Sequence, residues 1–73
     1  MHNIYLIKDL ARISGYSIYT LKFYLKIGLI KEVSRSQGTN YRYFDDSTIK
    51  ALQAIRVLRK AGRPLKEIKN ELL

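Results

Sequence analysis

A chain of 73 residues carrying 14 Lys and Arg against 6 Asp and Glu has a formal charge of +8 and a pI near 10.0, a surplus that favours a polyanionic partner. This length gives one domain with a small core that buries roughly 60% of the unfolded surface, so a deep catalytic cleft is excluded, while 47% apolar residues with six Tyr and two Phe exclude disorder. The absence of Cys excludes disulfides, zinc-thiolate sites and thiol redox chemistry and suits a reducing cytoplasm.

Near the N-terminus, Leu6, Ile7, Leu10, Ala11 and Ile13 keep helical spacing until Gly15 interrupts it, which predicts a short first helix ending at a turn. Lys8 and Asp9 arrive too early for a signal peptide or a membrane span. His2, the one histidine, lies in a terminal position where solvation rather than metal ligation is expected, so no metal is called for. Ser17 is placed to cap a second helix that runs to about Ile27, where Gly28 supplies the left-handed residue that stops it. Within this helix Ile18, Leu21 and Leu25 define a packing face, and Tyr19, Lys22, Phe23 and Lys26 define a second face free to make contacts.

Ser34 to Asn40 is rich in turn formers and lies between Lys31-Glu32-Val33 and Tyr41-Arg42-Tyr43-Phe44. It predicts a two-stranded hairpin with its tip near Gln37 and Gly38. Asp45 or Asp46 then caps a third helix with an apolar stripe of Ile49, Leu52, Ile55 and Leu58. Ala61-Gly62 ends it, and Pro64 fits the first turn of a fourth helix carrying Leu65, Ile68 and Leu72. The expected fold is therefore mainly α, a winged helix-turn-helix of about four helices with a two-stranded β-hairpin wing, spanning 1–73 as one domain.

Helix, Gly-containing turn, helix and basic hairpin form a layout suited to gripping double-stranded DNA. Two ammonium groups and an aromatic pair along the second helix can meet phosphates and base edges in a major groove that just admits a helix. Arg35 and Arg42 on a thin ribbon can reach phosphates or a narrow minor groove. Arg56, Arg59, Lys60, Arg63, Lys66 and Lys69 read mostly as a solvated charge run, of which one or two near the Gly62 turn, Arg63 among them, are candidate clamps on the phosphate backbone. The bland alternative is a surface helix and hairpin with ordinary solvated cations.

Four motifs in order resemble the MerR-type transcriptional regulators, specifically their N-terminal DNA-binding domain: Thr20-Leu21-Lys22-Phe23-Tyr24, Gly28-Leu29-Ile30, Tyr41-Arg42-Tyr43-Phe44 and Gly62-Arg63-Pro64-Leu65-Lys66-Glu67-Ile68. The resemblance runs from Tyr5 to Leu73. It implies that Tyr19, Lys22 and Tyr24 lie on or beside the recognition helix, Arg42 lies on the wing, and Ile49 to Leu73 form a helix pair bracing the wing. The combined candidate DNA-contact set is Ser17, Tyr19, Thr20, Lys22, Phe23, Tyr24 and Lys26 at the recognition helix, Arg35, Tyr41 and Arg42 on the wing, and Arg63. No cofactor is implied.

Three departures from the family pattern stand out. Lys22 occupies the usual Arg position, which exchanges a bidentate grip for a point charge. Leu25 replaces an acidic residue, and Glu32 stands where a Pro commonly follows, which bears on the entry angle of the wing. Members of the family generally continue into a coiled-coil helix that pairs two subunits and into a sensing domain. The expectation is accordingly a DNA-binding domain cut from a longer regulator, or alternatively a minimal protein that relies on a second copy or a partner protein on DNA. Transcriptional regulation in the cytoplasm, in association with the nucleoid, is the first functional reading. A small architectural or recombination-directionality factor is the second. A protein-interaction module using the Tyr-rich face is a third, and an enzyme is not expected, since the six carboxylates are scattered and no glycine loop cradles phosphate.

Overall fold

Most helix boundaries in the computed structural model, which describes residues 3–72, are set by a short local signal. The expectation about His2 falls outside the described residues, as does the end of the helix pair at Leu73. Helix α1 spans Ile7–Ser14 and stops where Gly15 turns to φ 79° and donates its amide to the Ala11 carbonyl. At its start the Asp9 carboxylate accepts the Leu6 amide at 2.9 Å. Helix α2 spans Ile18–Lys26. Ser17 caps it through Oγ, which accepts the Thr20 amide at 3.1 Å, and Gly28 at φ 78° follows its end.

The hairpin consists of β1, Ser34–Arg35, paired antiparallel with β2, Arg42–Tyr43, with Ser34 opposite Tyr43 and Arg35 opposite Arg42. The ladder is shorter than the sequence implies. Beyond it, the Val33 amide still donates to the Tyr43 carbonyl at 2.8 Å, and Gly38 and Asn40 take positive φ in the connecting turn. Helix α3 spans Asp46–Lys60 with Asp45 as its cap, the carboxylate accepting the Ser47 amide at 2.9 Å. Helix α4 spans Leu65–Leu72. Pro64 stands immediately before it, its carbonyl accepting the Ile68 amide at 3.1 Å.

All four helices contribute to one core, while the two short strands do not. Leu10 comes from α1, Leu21 and Tyr24 from α2, Leu29 and Ile30 from the segment after it, and Phe44 from the end of the hairpin. Leu52 and Ile55 come from α3 and Ile68 from α4. Six of these side chains are less than 2% exposed, so α3 acts as the brace against which α1 and α4 pack. Residues 31–33 do not form a strand, whereas Tyr5 pairs with Phe44 through two backbone hydrogen bonds of 2.8 Å each. That bridge straps the N-terminal segment to the exit of the hairpin. The Tyr5 hydroxyl reinforces it by donating to Asp46 Oδ1 at 2.7 Å.

The packing face of α2 departs from the expected one. Ile18 is 41% exposed and Tyr24 only 3% exposed, so the inward line runs through Leu21 and Tyr24 with Leu25 half-buried. The first turn of α2 projects beyond the core and leaves Ile18 unburied. The Tyr24 ring is large enough to reach the core and meets Tyr16 edge to face at 5.5 Å.

Candidate nucleic-acid interface

Helix α2 is a ridge between two basic hollows. On one flank Lys22 faces the hairpin across a groove of about 680 Å³ lined by Leu6, Ile7, Lys8, Lys22, Arg35, Asn40, Tyr41 and Arg42. On the other flank Thr20 and Phe23 face α3 and α4 across a hollow of about 520 Å³ that also takes in Tyr16, Tyr24, Arg56, Arg59, Lys60 and Leu65. Seven of the chain's 14 Lys and Arg line these two concavities. Among the described residues no Asp or Glu lines either one. Concave surfaces of one sign focus the field, so both attract an anionic ligand more strongly than the same charges spread over a convex face.

Tyr19 stands on the crest between the hollows, 84% exposed. An exposed ring of that size carries no packing role and is available to touch a partner. The local fold aims the helix that presents it. Ser17 Oγ donates to Thr20 Oγ1 at 2.9 Å and accepts the Thr20 amide, so both hydroxyls are engaged in starting α2. Arg56 reaches across from α3, donating through Nη2 to the Ser14 carbonyl at 2.5 Å and lying over the Tyr16 ring at 4.6 Å from its centroid. The turn between α1 and α2 is thereby tied to α3. Burial pushes the Tyr16 phenol up, and the neighbouring Tyr24 adds to the shift while the Arg56 charge opposes it.

The structure gathers Lys22, Arg35, Tyr41 and Arg42 into the first groove and Thr20 and Phe23 into the second hollow. Tyr24 lines the second hollow but is 3% exposed and belongs to the core. Lys26 lies in the last turn of α2, where its charge suits the carbonyl end of the helix dipole. Lys26 and Arg63 line neither concavity. Arg63 is engaged on the surface of α4, with Nε 3.3 Å from Glu67 Oε2 and Nη2 against Glu71. Lys8, Asn40 and Arg56 were not expected at these concavities, and Arg59 and Lys60 were singled out only as part of the charge run near the Gly62 turn. Their recruitment depends on how α1, the hairpin and α3 meet, although the spacing of Arg56, Arg59 and Lys60 at i, i+3 and i+4 does mark one face of α3.

Comparison with known proteins agrees with this architecture. The profile described as MerR HTH family regulatory protein matches residues 5–73. The HTH-type transcriptional regulator SkgA of Caulobacter vibrioides is 41% identical over 71 residues, which are 96% of this chain and 27% of that protein. The chain thus spans about a quarter of the length of this curated relative. Among solved structures, MtaN, the N-terminus of the Bacillus subtilis multidrug transporter activator, superposes with a TM-score of 0.87 at 37% identity, covering 93% of this chain and 63% of that one. HiNmlR, described as a MerR family regulator lacking the sensor domain and bound to promoter DNA, superposes with a TM-score of 0.84 at 35% identity, covering 93% of this chain and 53% of that one. The family is not enzymatic. The chain belongs to the MerR helix-turn-helix family of transcriptional regulators and carries that family's DNA-binding domain.

Proposed function

We propose that this domain binds duplex DNA in a sequence-dependent way to regulate transcription, with the exposed face of α2 in the major groove and the hairpin on the flanking backbone or minor groove. The observation that carries this reading is the pair of carboxylate-free basic concavities on either side of α2, since a helix flanked by cations on both sides matches a major groove flanked by two phosphate walls. In this arrangement Tyr19 on the crest and Lys22 and Phe23 on the two flanks meet base edges or sugars. Thr20 and Ser17 act at the start of the helix and Lys26 at its end. Arg35, Tyr41 and Arg42 hold the backbone on the wing side, joined by Lys8, while Arg59 and Lys60 hold it on the other. Tyr24 acts from within, fixing the angle of α2 against α1.

Two copies acting together on an inverted repeat in the cytoplasm are the proposed working form. A module of this size buries only about 600–1,000 Å² on DNA, and holding two together raises the affinity through effective concentration. The promoter-bound HiNmlR structure supports the regulatory reading for a fold this similar. Selection of bound duplexes from a random library, with the chain alone and with a version forced to dimerise, tests it. An inverted repeat enriched by the dimer is the expected outcome. Unpaired or tandem sites bound equally well without dimerisation would point instead to an architectural factor, and no enrichment at all would refute DNA recognition.

A further inference from the structure

We propose that Glu32 competes with DNA phosphate for the two wing arginines and so sets how tightly the domain holds any duplex. The inference rests on the DNA-binding reading above. Arg35 and Arg42 are direct cross-strand partners in the hairpin, and like charges facing one another on a ribbon are unfavourable. Their heads nevertheless converge on a single oxygen. Glu32 Oε1 lies 3.2 Å from Arg35 Nη2 and 3.3 Å from Arg42 Nε. Glu32 is the less exposed member of the trio, with 24% of its side chain accessible against 49% and 44% for Arg35 and Arg42.

Position makes this contact a restraint on the groove rather than part of it. Arg35 and Arg42 line the basic groove beside α2, whereas Glu32 lines a separate hollow formed with Leu29, Ile30, Val33 and Leu72. The carboxylate therefore holds the guanidinium groups from the base of the wing. A carboxylate oxygen and a phosphate oxygen accept the same charge-assisted hydrogen bonds from Arg. When DNA arrives, either the arginines exchange Glu32 for phosphate or the carboxylate remains close to a phosphate of like charge. Both routes weaken association. Because phosphate contacts carry no sequence information, the loss is uniform across sequences. Glu32 is thus a residue that sets affinity without touching DNA bases.

Titration of wild type, Glu32→Gln and Glu71→Gln against one selected and one random duplex tests the proposal. Glu71→Gln makes the same change in net charge but relieves Arg63, which lines neither concavity. Glu32→Gln is expected to tighten binding to both duplexes by the same factor, about three- to tenfold for two exposed ion pairs. Its dependence of log affinity on log salt is expected to be steeper by up to about one, and Glu71→Gln is expected to do less on both counts. In an Arg35→Gln/Arg42→Gln background the gain from Glu32→Gln is expected to shrink, because only the like-charge repulsion between carboxylate and phosphate remains to be relieved. Weaker binding by Glu32→Gln, a gain no larger than that of Glu71→Gln, or an undiminished gain without the arginines would overturn the proposal while leaving DNA binding intact. Failure of the wild-type protein to bind either duplex would refute the DNA-binding reading itself.

Discussion

Arg56 lies over the Tyr16 ring at 4.6 Å and donates to the Ser14 carbonyl at 2.5 Å, so one side chain of α3 holds the turn that orients α2. A Cβ added at Gly15 would stand 3.5 Å from Arg56 Nη2, which shows how closely the guanidinium follows the backbone there. Arg56→Ala removes a cation–π contact and a charged hydrogen bond to a helix-end carbonyl, and is expected to cost about 1–2 kcal/mol. For a domain of this size that corresponds to a fall in Tm of roughly 4–16 °C, to be read by thermal unfolding. Arg56→Lys keeps the charge but not the planar stack and is expected to fall between the two.

Two tyrosines on one helix separate folding from recognition. Tyr24 is 3% exposed and Tyr19 84% exposed. Tyr24→Ala opens a cavity in the core of a small domain and is expected to cost about 3–5 kcal/mol, enough to leave much of the protein unfolded. Tyr19→Ala is expected to change stability by no more than about 0.5 kcal/mol while weakening binding to a selected duplex. Chemical denaturation and a binding titration on the same preparations measure both effects.

The strap between the N-terminal segment and the hairpin exit is expected to respond to alkali. The hydrogen bond to Asp46, followed by desolvation and the nearby carboxylate charge, raises the Tyr5 phenol above its ordinary value. A raised pKa in the folded state means that the contribution is fully present below the unfolded value of about 10 and is lost as pH rises through the folded value. The stability difference between wild type and Tyr5→Phe is therefore expected to be flat from neutral pH to about 10 and to shrink above it. Denaturation of both proteins across this range checks the sign.

Local signals explain why so much of the fold is legible in the sequence. Gly15, Ser17, Gly28, Asp45 and Gly62 act within one turn of where they stand, and the stripes of α3 and α4 bury Leu52, Ile55 and Ile68 as their spacing implies. Tyr24 is ambiguous by type, because a ring with a polar tip serves equally in a core or at an interface. The Tyr5 to Phe44 pairing joins segments far apart in sequence and leaves no periodic trace. The groove beside α2 shares this property. Lys8, Lys22 and Arg42 come from three elements, and their convergence is a product of packing. The attachment of Glu32 to two arginines likewise depends on strand register.

The most direct test of the central claim is the affinity of the 73-residue chain for a single duplex between about 50 and 200 mM salt, alongside Lys22→Ala and Arg42→Ala. With about six phosphates neutralised, log affinity is expected to fall against log salt with a slope near −5. Each variant is expected to bind more weakly, with the slope reduced by about one where its cation meets a phosphate, and Lys22→Ala losing more of its sequence discrimination where its ammonium meets a base edge. A flat salt response, or variants indistinguishable from wild type, would contradict the assignment of the α2 and wing face to DNA.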